Sequence, residues 1–147
     1  MEFQYVILAL IAGACGPIQA GINSQLGSVT GGPSIAATIS FIVGTLGLVC
    51  YVLISGASLP SFKTLTTLPL WMLTGGFLGA ILVFFSIIVV PKLGAAATLG
   101  FIVAGQMITS LALDNFGLVG YEEHPINIWR LFGVALLLVG VILIKKF

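Results

Sequence analysis

Five stretches of this chain stay apolar, without alternation, for about 17–23 residues each: Phe3–Gln25, Ser34–Ser55, Leu70–Val90, Ala95–Leu113 and Ile128–Ile144. About 20 residues at a rise of 1.5 Å cross a hydrocarbon core of about 30 Å. Inside that core every backbone N–H and C=O must be paired within the protein, which leaves helices or closed barrels. A barrel strand alternates over about ten residues, and the run ILVFFSIIVV (Ile81–Val90) does not alternate. The expected fold is an all-α integral membrane protein: one transmembrane domain over residues 1–147, with five transmembrane helices.

Composition agrees. Hydrophobic residues make up 59% of the chain and charged ones 6%, against about 25% charge in a soluble domain. The mean hydropathy is +1.25. So few charges cannot wet a folded surface, and the lipid bilayer is the expected solvent. A net charge of +1 gives no basic patch for nucleic acid. The opening MEFQYVILAL carries Glu2 where a signal peptide has a basic region, so it is expected to stay as the first span. Cys15 and Cys50 lie within apolar spans, where a small buried thiol is the ordinary reading. Without a nearby His they make no metal set, and neither a disulfide nor a cofactor is expected. The single His124, the adjacent Glu122 and Glu123, and the lack of HExxH, P-loop or GxGxxG motifs argue against an enzyme.

The links are short: GSVTGGP, GASLPSFKTLTTLP, PKLG and DNFGLVGYEEHPIN. Alternating spans put Lys63 and Arg130 on the side of the N-terminus, and Lys92, Lys145 and Lys146 on the other. Orientation follows the excess of Lys and Arg on cytoplasmic loops, and two against three is barely an excess. Tyr5, Tyr51, Trp71, Tyr121 and Trp129 all fall at or near the N-terminal side, although such residues normally line both interfaces. Two antiparallel copies supply both belts. Chance, together with the length of the loops on that side, also accounts for the pattern.

Two polar rows interrupt the apolar spans. The first lies in GPIQAGINSQLG (Gly16–Gly27), where Gln19 and Asn23 stand one helical turn apart beside Pro17. Proline removes one helical hydrogen bond and crowds the carbonyl of Gly13, so Pro17 with Gly16 forms a candidate hinge. The second runs Gln106, Ser110, Asp114 along the fourth span, and it alone ends in an ionisable group. Polar groups in lipid are costly and face a cavity or a partner. Gln19, Asn23, Gln106 and Ser110 are therefore candidate substrate ligands, and Asp114 is the candidate for proton or ion coupling. Amides also glue helices together, and Asp114 has the alternative role of anchoring its helix end. Gly133 and Gly140, two turns apart on the last span, form a candidate dimer-packing seam, and Gly75 with Gly79 a GxxxG.

The stretches GPIQAGINSQLG, WMLTGGFLGA, PKLGAAAT and GQMITSLALDNFGLVG together resemble the short YdcZ-like family of the bacterial drug/metabolite transporter superfamily. The final RLFGVALLLVGVILI resembles the closing helix of small multidrug transporters. The resemblance implies a multi-pass protein of the bacterial inner membrane, a half-transporter working as a dimer with a second copy or a homologous chain, often antiparallel. It implies alternating access around a central cavity lined by the first and fourth spans. Where small multidrug transporters carry a membrane glutamate in the first span, this chain has Gln19 and Asn23. Neutral amides point to a small polar or zwitterionic metabolite, or a drug-like molecule, as substrate. A small dimeric ion channel and an accessory subunit of a membrane complex are the alternatives.

Overall fold

The computed structural model describes residues 2–147, with side chains from Phe3 onward. Met1 lies outside them. The chain is all helical: α1 (Glu2–Thr30), α2 (Pro33–Ser55), α3 (Phe62–Thr67), α4 (Thr74–Leu93), α5 (Ala95–Asn115) and α6 (Ile128–Lys146). Short 3-10 turns cover Leu70–Leu73 and Leu118–Gly120. Among the described residues, five helical segments are long and apolar enough to cross a membrane: α1, α2, α4 with its preceding turn, α5 and α6. Only 6–17% of each span is buried within the molecule, so lipid or other chains must cover the rest. Cys15 and Cys50 follow that rule: both thiols are free and exposed on their helices rather than buried.

Helix ends fall where the backbone chemistry dictates. α1 runs past Gln25 to Thr30 because nothing stops it before Gly31 and Gly32, both at positive φ. It also runs through Pro17 as one helix. Pro33 opens α2 at the position where a missing N–H costs nothing. α3 falls in the polar link that reads in sequence as irregular. There the Ser61 hydroxyl accepts from the Thr64 N–H at 3.2 Å and caps a six-residue helix. α4 continues through Pro91 to Leu93, and Gly94 alone joins it to α5. At φ +79° Gly94 occupies backbone space that other residues avoid. Its carbonyl accepts from both the N–H and the hydroxyl of Thr98.

The helices group into two compact units, described separately. One comprises Ile18–Val89; the other holds the first part of α1, up to Pro17, and Val90–Phe147. The first centres on Ala36, Ala37 and Ile87, with Leu26, Val83 and Phe84 packed against them. Asn23 is buried there, and among the described residues its Nδ2 has no hydrogen-bond partner.

The second unit is dominated by α5 against α6. Gly100 meets Val141 near one end of the pair, and Asp114 meets Arg130 at the other, so the helices run antiparallel. A Cβ on Gly100 would stand 2.7 Å from Val141 Cγ2, a distance no real side chain tolerates. In lipid, helices associate through such close van der Waals packing of small residues rather than through a hydrophobic drive. Lys145 extends over the Phe101 ring, 5.8 Å from its centre.

Candidate functional site: an ion pair at the mouth of the α5–α6 cleft

Asp114 is in the last turn of α5 and Arg130 in the first turn of α6, and Arg130 Nη2 donates to Asp114 Oδ2. Both positions oppose the helix dipole. A helix C-terminus carries partial negative charge and an N-terminus partial positive charge, each effect worth about 0.3–1 kcal/mol. A carboxylate in a last turn therefore does not anchor that end, and a guanidinium in a first turn gains nothing from its own helix. The two charges are held there by each other. They are about three-quarters buried, with 24% exposure for Asp114 and 29% for Arg130.

The connecting loop is tied to the same pair. The Arg130 Nη1 donates to the His124 carbonyl at 2.7 Å, and the His124 N–H donates to the Asp114 carbonyl at 2.8 Å. Asn115 Oδ1 accepts from the Ile126 N–H at 3.0 Å. Asn127 Oδ1 caps α6 by accepting from the Arg130 N–H at 2.9 Å. Breaking the ion pair thus loosens the loop as well as the contact between helices. Within that loop Val119 sits at φ +59°, a left-handed conformation that a β-branched residue rarely adopts.

The pair closes one end of a cleft of about 390 Å³, which runs from Asp114 back to Met107 on α5 and from Arg130 on to Leu137 on α6. Each wall covers two helical turns, about 10 Å at 1.5 Å per residue. Ser110 and Gly133 face one another's helix along it with Leu111 and Val134 at their level, and Met107 and Leu137 make its deeper part apolar. The volume falls within the range of small-ligand sites, about 300–1,000 Å³. Among the described residues, no three His, Cys, Asp or Glu side chains are placed to hold a metal.

Of the residues singled out in sequence, Ser110, Asp114 and Gly133 lie on this cleft. Gln106 is exposed on α5 and does not line it. Gln19 and Asn23 belong to the other unit and differ in burial: Gln19 is exposed, while Asn23 is buried in line with Ala20 and Gly27. Gly16 is half-buried and Pro17 exposed. Gly133 and Gly140 both have open space where a Cβ would point. Sequence reading used Arg130 only to count loop charges and missed its role. The available signal was a cation in the first turn of one helix opposite an anion in the last turn of the one before.

Helix count, apolar surface and short links define a multi-pass helical membrane protein. A family described as "Putative inner membrane exporter, YdcZ" matches residues 4–143, and the chain belongs to that family. The chain is also 38% identical over 80 residues to "Inner membrane protein YdcZ" of Escherichia coli (strain K12). That match covers 52% of this chain and 50% of the relative, so it spans about half the length of each. No solved structure matches.

Proposed function

We propose that the chain is one half of a secondary exporter, assembling as an antiparallel dimer that moves a small polar or zwitterionic molecule by alternating access. The observation that carries this reading is the Asp114–Arg130 pair: two charges against their helix dipoles, partly exposed at the mouth of a cleft. A proton or a cationic group reaching Asp114 competes with Arg130 for the carboxylate. When Arg130 lets go, its hold on the His124 carbonyl weakens and the Asn115–Asn127 loop is released at one end. Protonation state and loop position are then linked, which an ion-coupled carrier requires.

Gln19 and Gln106, exposed amides at membrane depth, are proposed to line the substrate path. Pro17 and Gly16 are proposed to let α1 bend as access alternates. The weak charge bias of the loops and the one-sided aromatic residues support two copies of opposite orientation. An odd number of spans makes such a pair an inverted repeat, the arrangement of many secondary transporters.

Everted membrane vesicles, with and without the protein, incubated in a cell extract and analysed by mass spectrometry, test the reading. The expected result is one or a few solutes enriched only with the wild-type protein and lost with Asp114→Asn. Identical contents in all vesicles would remove it. Orientation is tested separately by a cysteine added beyond Lys146 in a chain lacking Cys15 and Cys50. Labelling of about half the population from outside the cell is expected for the antiparallel dimer, and all-or-none labelling contradicts it.

A further inference from the structure

The Asp114–Arg130 cleft has the dimensions and layout of a lipid site. Its charged end lies at the ends of two spans, next in sequence to Trp129 and with Tyr121 in the loop that joins them, both exposed. Trp and Tyr settle at headgroup level, which fixes the depth of the ion pair. The cleft then descends about 10 Å into the hydrocarbon, at 1.5 Å per residue over two turns, and its polarity falls in the same direction. Asp114 and Arg130 stand at the top, Ser110 and Gly133 in the middle, and Leu137 with Met107 at the bottom. Met107 and Gly133 are exposed, so the cleft is open along its length.

The charges specify the head. An anionic head attracted to Arg130 meets the carboxylate beside it, and a purely cationic head meets the guanidinium. A head carrying both an ammonium and an acid oxyanion satisfies the two together. The existing pair uses Oδ2 of Asp114 and Nη2 of Arg130, which leaves Oδ1 to accept from an ammonium. The guanidinium N–H groups not used by Asp114 and the His124 carbonyl are left to donate to the oxyanion, and charge-assisted bonds of this kind are the strong ones.

We infer that the α5–α6 cleft binds a zwitterionic lipid of the bilayer, its ammonium on Asp114, its phosphate on Arg130 and the upper part of one chain lying against Val134 and Leu137. The inference goes beyond the transport reading: the lipid is a bound neighbour of the coupling carboxylate, distinct from the small polar substrate proposed above.

Trp129 adjoins Arg130 and reports occupancy. In a Trp71→Phe protein reconstituted in bilayers, Trp129 fluorescence is measured as phosphatidylethanolamine with brominated chains replaces the unbrominated lipid. The same titration is run with brominated phosphatidylglycerol. Expected is preferential quenching by the ethanolamine lipid, about tenfold over the anionic one in relative affinity. Gly133→Leu fills the cleft where a Cβ has open space, and abolishes the preference. Gly105→Leu, equally open but off the cleft, keeps it. Ser110→Leu fills the cleft from the other wall and serves if Gly133→Leu does not fold. Equal quenching by the two lipids, stronger quenching by the anionic one, or a preference that survives both fillings overturns the inference. Selective quenching without solute accumulation in the vesicle assay sinks the transport reading and leaves the lipid site standing. Accumulation without selective quenching does the reverse.

Discussion

Asp114 and Arg130 form an ion pair across the α5–α6 hairpin although each occupies the helix end whose dipole disfavours its charge. The arrangement costs stability that a simple surface pair would not. Exchanging the two residues puts the anion at a helix N-terminus and the cation at a C-terminus while keeping the pair.

The exchange gives the first prediction. Asp114→Asn alone removes a charge-assisted bond and leaves Arg130 without its partner, lowering stability by about 1–2 kcal/mol after allowance for partial exposure. The double variant Asp114→Arg with Arg130→Asp restores the pair and gains up to about 1 kcal/mol from the dipoles, against the lost bond to the His124 carbonyl, and should be at least as stable as Asp114→Asn. Thermal unfolding in detergent reads both. A double variant less stable than Asp114→Asn would contradict the dipole argument.

Arg130→Lys keeps the charge but loses the fork that reaches Asp114 and the His124 carbonyl together. Hydrogen exchange at the His124 amide, bonded to the Asp114 carbonyl, should accelerate about tenfold, which corresponds to roughly 1.4 kcal/mol of local stability. Unchanged protection would mean that the loop is held by Asn115 and Asn127 without help from the pair.

At the opposite end of the hairpin, Gly100→Ala places a methyl carbon 2.7 Å from Val141 Cγ2. Overpacking of this kind costs about 1–3 kcal/mol. Val141→Ala in the same chain should return most of the loss, because the clash is with that side chain. A double variant no better than Gly100→Ala would show that the backbones, rather than the side chains, set the helix separation.

Much of this architecture is legible before any coordinates. The apolar runs give five spans because length against bilayer thickness is nearly the only requirement a membrane helix must meet. The same logic misplaces ends: α1 runs to Thr30 and α4 through Pro91, since hydropathy says where lipid ends and not where the helix does. α3 escapes notice because its signal is one serine cap in a polar link. For the site, spacing along one helix joins Ser110 to Asp114 but carries no information about the facing helix, so Arg130 is found only by comparing the charges at the two adjoining helix ends. Gln19 and Asn23, one turn apart in sequence, differ in burial because a turn of four residues still rotates the side chain by about 40°. That rotation carries Asn23 onto the packed face with Ala20 and Gly27.

Asn23 yields a prediction of the opposite sign. Its buried Nδ2 is unpaired, and an unsatisfied buried donor costs about 1–3 kcal/mol. Asn23→Leu should therefore leave stability equal or raise it, while reducing solute accumulation if the amide serves transport. A loss of both stability and accumulation would assign Asn23 to packing alone.

Val119 stands at φ +59° in the loop that the ion pair anchors. Replacing it by glycine removes strain of about 1 kcal/mol or more. The expected result is a higher unfolding temperature with unchanged lipid selectivity.

Asp114 is proposed above as the coupling group of an exporter. The direct measurement is accumulation of an identified solute in everted vesicles under an imposed pH gradient, with wild-type and Asp114→Asn proteins present in equal amounts. The account predicts uphill accumulation by the wild type, collapsed by an uncoupler, and none by Asp114→Asn. Uphill accumulation by Asp114→Asn at the wild-type level would contradict it.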